Sequence, residues 1–189
     1  LAHPDDAYAF DSNGKTFYFR KSKVDAYDNN VRGYYSAGAH ITGIIYATNN
    51  NISEQSETFP AKMTYLPWAT MAVSGQGVPP LVGLNTSNRY GFEYFVAMME
   101  FFAERYSLNG LPNGYIANFV IGNEIDYARD YNRISEKHAS LDVYMEEYSR
   151  LLRLSNLSLK KYHKDITVCM PITQSWANRG YSELDDKVS

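Results

Sequence analysis

The pattern of hydrophobic and polar positions predicts alternating strands and helices along this chain. Near its start, two short runs at 8–10 and 16–20 flank Asn13-Gly14, a dipeptide typical of tight hairpin turns. The predicted elements are a hairpin over residues 8–20, a helix over 22–38, strands over 41–47 and 80–84, a helix over 92–106, a strand over 117–121, a helix over 144–164 and a strand over 166–170.

Side-chain spacing and end signals support each predicted helix. In the first helix, apolar residues recur at 24, 27, 31 and 34, Ser22 and Asp25 suggest a capping box, and Gly38 marks the end. In the second helix, the apolar residues between 92 and 106 fall on one face. The last turn of the third helix, 160–164, is rich in lysine and complements the helix dipole.

The order of these elements determines the fold class. Helices alternate with short apolar strands, which is typical of an α/β protein with a parallel sheet covered by helices. The segment over residues 49–88 breaks the pattern because it contains four prolines and little periodicity apart from the short strand at 80–84. A loop of this length is usually functional or contains a missed element.

The most informative short motif is Gly122-Asn123-Glu124, which follows the apolar run at 117–121 directly. In a β/α barrel, the C-terminal ends of the strands open onto the face that carries the chemistry. The motif therefore predicts a carboxylate and an amide at that face. The alternative interpretation is that these polar residues only begin a solvated loop.

Several segments resemble a known family. The words VIGNEI at 120–125 and RYGFEYFVAMMEFFAERY at 89–106 are similar to the fourth strand, and to the helix before it, of retaining glycoside hydrolases built on the (β/α)8 barrel. More narrowly, the chain resembles a bacterial group of glycosidase-like barrels classed as a domain of unknown function. That similarity rests on the words NGKTFYF at 13–19, GLN at 83–85, FAERY at 102–106 and GNE at 122–124.

The resemblance implies that this α/β chain is part of a TIM (β/α)8 barrel. Such a barrel needs roughly 250 residues, so we expect the 189 residues to be a single incomplete domain, the central part of the barrel. Residues 1–20 would form a hairpin region and residues 21–189 the β/α units. The strand at 117–121 would be the fourth, with 41–47 as the third and 166–170 as the fifth. An alternative count makes 16–20 the first strand and 80–84 the third.

The resemblance also assigns roles to two residues. Glu124 would be the general acid/base, and Asn123 would bind the sugar 2-hydroxyl. The nucleophile of the family lies on the seventh strand, which would be missing from this chain, so the chain alone is expected to be inactive. Further predicted substrate-binding residues are Trp176, Asn85, Tyr127 and Trp68. Asp126 is an alternative acid.

Composition narrows the class of partner. Aromatic residues make up 15% of the chain and include 17 tyrosines, which suits a surface that stacks on sugar rings. A net charge of −3 gives no basic footprint for nucleic acid, and no apolar run is long enough to span a bilayer. Cys169 is the only cysteine, which excludes an internal disulfide or a cysteine-based metal site. We expect no metal and no cofactor.

The sequence therefore predicts a glycoside hydrolase, secreted or on the cell surface, that acts on a polysaccharide or oligosaccharide. The alternative is a noncatalytic barrel that binds carbohydrate without cleaving it, and a third class is a β/α enzyme with other chemistry. Strand edges without the neighbouring strands of the barrel predict self-association of the piece.

Overall fold

The computed structural model describes residues 6–48, 81–107, 112–126, 132 and 140–172. It is a mixed α/β structure, as the alternation of elements predicts. Its elements are β1 Ala7–Ser12, β2 Lys15–Arg20, α1 Lys21–Ser36, β3 Thr42–Ile45, β4 Ala47–Thr48, β5 Leu81–Val82, α2 Arg89–Tyr106, β6 Asn118–Ile121, α3 Leu141–Lys160 and β7 Thr167–Cys169.

Three strands form a parallel sheet in the order β3-β6-β7. The strand that precedes the Gly122-Asn123-Glu124 motif is therefore central, and its neighbours are the strands predicted over 41–47 and 166–170. At its start, the Ala117 amide donates to the Ile41 carbonyl (3.1 Å), and the Thr167 amide donates to the Ala117 carbonyl (3.2 Å). Within the described residues these strands do not close into a barrel.

The short strand predicted at 80–84 is present as β5, but it lies outside the parallel sheet. It pairs antiparallel with β4, with Ala47 opposite Val82 and Thr48 opposite Leu81. Leu81–Val82 is therefore not a strand of the parallel sheet.

The predicted hairpin is confirmed. Strands β1 and β2 pair antiparallel with Ser12 opposite Lys15, so that Asn13-Gly14 is a two-residue loop. Both loop residues have positive φ, 48° at Asn13 and 77° at Gly14, as a turn that matches the strand twist requires.

The start of α1 differs from its prediction. The helix begins at Lys21 with Arg20 as N-cap and has no side-chain capping bond, so the capping box is wrong. The Asp25 carboxylate instead accepts hydrogen bonds from Lys21 Nζ (2.5 Å) and from Tyr8 Oη (2.7 Å). The buried face is also narrower than predicted, since Val24 and Val31 are buried whereas the predicted apolar positions Tyr27 and Tyr34 are 57% and 63% exposed.

Helices α2 and α3 follow their predicted positions closely. Asn88 caps α2, because its Oδ1 accepts a hydrogen bond from the Gly91 amide at 2.8 Å. Helix α3 ends at Lys160, before the predicted lysine-rich turn at 160–164 is complete. The buried apolar residues of α2 include Phe95, Val96, Met99 and Tyr106.

Contacts divide the chain into two compact units. Unit 1 comprises residues 1–43, 92–119 and 153–168, and unit 2 comprises residues 44–91, 120–152 and 169–189. Part of the core of unit 1 is an aromatic cluster in which the ring of Phe101 stacks on Phe19 at 4.4 Å and meets Phe10 edge-on at 5.6 Å. The hairpin is thus held to helix α2 by ring packing.

A buried ion pair links α1 to α2 inside unit 1. The Asp28 carboxylate accepts hydrogen bonds from Arg105 Nε (2.7 Å), from Arg105 Nη2 (2.5 Å) and from Tyr106 Oη (2.6 Å). Burial alone would raise the pKa of Asp28, but these three bonds outweigh it and hold that pKa below its usual value. Burial, and then the bond to Asp28, raise the pKa of Tyr106.

These shifts predict how stability depends on pH. Because the pKa of Asp28 is lowered in the folded state, its contribution is complete above the unfolded pKa of about 3.9 and is lost as the pH falls through the folded value. Because the pKa of Tyr106 is raised, its contribution is complete below about pH 10 and is lost above it. Urea midpoints measured from pH 2 to 11 should fall at both ends, and Asp28→Asn should flatten the acid limb. An unchanged acid limb in Asp28→Asn would contradict this assignment.

Candidate functional site

The Gly122-Asn123-Glu124 motif forms a turn immediately after β6 ends at Ile121. Gly122 has φ of 87°, which is ordinary for glycine. Glu124 has φ of 38°, which is uncommon for a residue with a side chain and is maintained only where the surroundings enforce it. The carboxylate predicted from sequence therefore belongs to a constrained backbone position at the C-terminal end of the central strand.

Main-chain hydrogen bonds fix both ends of this turn. The Gly122 amide donates to the carbonyl of Ile45 at the end of β3 (2.7 Å). The Ile125 amide donates to the carbonyl of Pro171, beyond the end of β7 (3.2 Å). The residues between them are thus held from both neighbouring strands of the sheet.

Two tyrosines of α3 bind the carbonyls on either side of the motif. Tyr148 Oη donates to the Ile121 carbonyl at 2.7 Å, and Tyr144 Oη donates to the Ile125 carbonyl at 3.0 Å. Both side chains are buried, and burial raises the pKa of Tyr148, which keeps its hydroxyl a neutral donor at physiological pH. From the sequence, both tyrosines were predicted only to lie in the helix over 144–164, although their four-residue spacing places both on one face.

Gly122→Ala should destabilise the protein by about 1–2 kcal/mol, because alanine is strained at positive φ. A Cβ at Gly122 would lie 3.4 Å from Ile125 Cγ2 and 3.6 Å from Tyr148 Cε2, which are ordinary contacts. The expected cost therefore arises from the backbone conformation. Thermal or urea unfolding measures it.

Gly33→Ala is the matched control for that substitution. Gly33 lies inside α1, and a Cβ there would meet no atom within 4 Å. Alanine at this position should stabilise the protein by about 0.5–1 kcal/mol through its higher helix propensity. Equal effects of the two substitutions would contradict a special backbone requirement at Gly122.

A small pocket lies beside the motif in unit 2. Its volume of about 20 Å³ accommodates about one water molecule. Asn123 lines it and Glu124 does not. Its lining residues are Tyr46, Val82, Gly83, Leu84, Gly122, Asn123, Asn132, Tyr144, Glu147, Tyr148 and Leu151.

Two polar residues of this pocket were not predicted from sequence. The side chain of Glu147 is 12% exposed, and both of its carboxylate oxygens accept hydrogen bonds from Arg150 Nη1 at 2.8 Å. Asn132 is buried, and its Nδ2 makes no hydrogen bond to any described part of the chain. The three-residue spacing of Glu147 and Arg150 on a helix is the signal that could have identified this ion pair.

Of the other predicted substrate-binding residues, Asn85 lies within the described part of the chain and three lie outside it. Asn85 is 2% exposed, and its Oδ1 accepts hydrogen bonds from the Ser87 amide (2.9 Å) and from Ser87 Oγ (2.7 Å). Its carboxamide oxygen thus takes part in the turn before α2. Trp68, Tyr127 and Trp176 lie outside the described residues.

None of the helices described is both long and apolar enough to cross a bilayer. Among the described residues, no group of three or more His, Cys, Asp or Glu side chains could hold a metal ion.

Comparison with protein families gives one result for nearly the whole chain. The model of the "Family of unknown function (DUF5722)" matches residues 1–187. The chain belongs to DUF5722. A search of curated proteins finds no match. The predicted membership of a domain-of-unknown-function family is thus confirmed at that level, and the glycosidase relationship of this DUF5722 chain stays a hypothesis.

Proposed function

We propose that this chain is part of a retaining glycoside hydrolase in which Glu124 is the general acid/base. The observation that carries the proposal is the position of Glu124, at φ of 38° just beyond the C-terminal end of the central strand of a parallel sheet. In this proposal β6 is the fourth strand of a (β/α)8 barrel, β3 the third and β7 the fifth.

Two physical arguments support a functional role for this position. Sites in β/α folds are built at the C-terminal ends of parallel strands, where the loops converge. Strained backbone conformations cluster at active sites. In a solvated loop without such constraints, the backbone of a residue with a side chain relaxes to negative φ. Four hydrogen bonds from β3, α3 and the residues after β7 maintain the conformation at Glu124 and its neighbours.

The proposed chemistry assigns distinct roles to the two side chains. The Glu124 carboxyl group donates its proton to the glycosidic oxygen as the bond to the anomeric carbon breaks, and its carboxylate then takes a proton from the attacking water. The Asn123 amide donates a hydrogen bond to the sugar 2-hydroxyl. A second carboxylate, about 5–5.5 Å from the first, must attack the anomeric carbon, and no residue of this sequence is assigned that role.

The proposed substrate is a polysaccharide or oligosaccharide, and the place of action is the cell surface or the surrounding medium, where such polymers occur. Trp68, Tyr127 and Trp176 are the proposed sugar-contacting residues. Aromatic side chains among them offer faces that stack on the apolar face of a sugar ring.

An assay of the full-length protein tests this function. Aryl glycosides and oligosaccharides of different configuration are incubated with the protein, and proton NMR follows the anomer that is released first. Hydrolysis with the anomeric configuration of the substrate supports the proposal, whereas release of the opposite anomer contradicts a retaining mechanism. Calorimetric glycan binding without any cleavage would support the noncatalytic alternative. Neither binding nor cleavage across the panel would reject both.

A further inference from the structure

The two tyrosine hydroxyls of α3 hold the motif at both ends. Tyr144 and Tyr148 are one helical turn apart, and the carbonyls that they bind, at Ile125 and Ile121, are the ones that flank Gly122-Asn123-Glu124. A single rigid helix therefore sets the separation of the two carbonyls. The three residues between them have no freedom to change their span without breaking one of these bonds.

Packing strengthens this restraint. Tyr144, Tyr148 and Ile125 are 3%, 5% and 5% exposed, so water has little access to the two bonds. The ring of Tyr148 also packs beside Gly122, with its Cε2 3.6 Å from the position that a Cβ would occupy. If a hydroxyl is removed, the carbonyl that it binds loses a buried donor, which costs more than the bond itself contributes.

We propose that Tyr144 and Tyr148 are positioning residues that hold the backbone of Glu124 in its left-handed conformation and thereby aim its carboxyl group. The effect on catalysis rests on the proposed function of Glu124. The effect on the backbone does not, since it follows from the hydrogen bonds alone.

Tyr148→Phe in the full-length protein tests this inference, because it removes one hydroxyl and keeps the ring. The first measurement is hydrogen exchange at the Gly122 and Ile125 amides, which bond to Ile45 and Pro171. We expect exchange at both amides to be about 10-fold faster, in proportion to the loss of one buried hydrogen bond. The second measurement is steady-state kinetics, in which kcat should fall about 10-fold or more with KM unchanged, as misplacement of a catalytic group predicts.

Tyr106→Phe is the matched control. Tyr106 is also buried, and its hydroxyl donates to Asp28 within unit 1, whereas the motif belongs to unit 2. This variant should lose stability without selective acceleration at Gly122 and Ile125 and without a change in kcat. The Ile116 amide, which donates to the Tyr106 carbonyl at 2.8 Å, serves as a reference for opening elsewhere in the chain.

The outcomes separate this inference from the proposed function. If Tyr148→Phe and Tyr106→Phe accelerate exchange equally at Gly122, Ile125 and Ile116, the tyrosines are general stabilisers and the inference is overturned. If exchange changes selectively but the wild-type protein hydrolyses no glycoside, the backbone restraint is established and the glycosidase proposal fails. Selective exchange together with an unchanged kcat would show that the restraint exists and does not aim Glu124, which also overturns the inference.

Discussion

Glu124→Gln in the full-length protein is expected to lower glycosidase turnover by about 10²–10⁴-fold, the range that general acid/base catalysis contributes. Glutamine keeps the size and shape of the side chain but cannot give up a proton at neutral pH. Glycan affinity measured by calorimetry should change little, because the substitution removes proton transfer and leaves the surrounding surface intact. Initial rates on an oligosaccharide whose leaving group requires protonation are the most sensitive measurement.

The neighbouring carboxylate provides a control for this substitution. Asp126 lies two residues further along the same turn, and Asp126→Asn makes the same type of change. We expect it to have a much smaller effect on turnover than Glu124→Gln. Added azide should partly restore turnover of an activated aryl glycoside by Glu124→Gln, because azide attacks the glycosyl-enzyme without a general base and forms a glycosyl azide. A larger loss in Asp126→Asn than in Glu124→Gln would reassign the acid.

Asp28→Ala is expected to lower the free energy of unfolding by about 3–5 kcal/mol, the cost of leaving one member of a buried ion pair without its partner. The Arg105 guanidinium would keep its charge among aromatic rings, 4.5 Å from the centroid of Tyr8 and 5.5 Å from that of Phe101. Tyr106 Oη would also lose its acceptor. Urea unfolding followed by circular dichroism gives the change directly.

Two comparisons make this prediction sharper. Lys15→Ala removes a more exposed ion pair, that with Glu93, and should cost no more than about 1 kcal/mol. Replacing Asp28 and Arg105 together by leucine and methionine should be less destabilising than Asp28→Ala alone, since no isolated charge remains buried. If the double variant is clearly less stable than Asp28→Ala, the isolated buried charge of Arg105 is not the main cause of the lower free energy of unfolding.

Local sequence signals predicted the elements whose conformation is decided locally. The Asn13-Gly14 turn fixes the register of the hairpin, because few other dipeptides accept positive φ at both positions. The apolar run at 117–121 identified β6, because a short apolar segment with turn residues on both sides is typical of a buried strand. The alternation of strands and helices likewise predicted a parallel sheet, whereas the placing of 41–47 and 166–170 beside β6 came from the family resemblance.

Features that depend on distant partners were not predictable in this way. Ser22 and Asp25 were expected to form a capping box at the start of α1, but Tyr8 in the hairpin and Lys21 bind the Asp25 carboxylate instead. Asp28 carried no apolar signal, and its role appears only when Arg105 and Tyr106 are brought to it from α2.

The backbone conformation of Glu124 also depends on residues that are distant in sequence. The residues around Glu124 predicted that a strand ends there and that a carboxylate follows it. They did not predict positive φ, because glutamate rarely adopts it. The bonds that surround it come from Ile45, Pro171, Tyr144 and Tyr148, which are scattered over much of the chain. Only the folded arrangement brings these residues together.

The central place of β6 has a consequence for the time course of folding. The β1–β2 hairpin joins residues that are close in sequence, and hairpins of this kind form in about 1–10 μs. Strand β6 must instead find β3, which ends at Ile45, and β7, which begins at Thr167, across long stretches of chain. Such nonlocal pairing is slow because the entropy of closing the loops is lost before contacts compensate for it. We therefore expect the hairpin to form first and the backbone of Glu124 to reach its final conformation among the last steps.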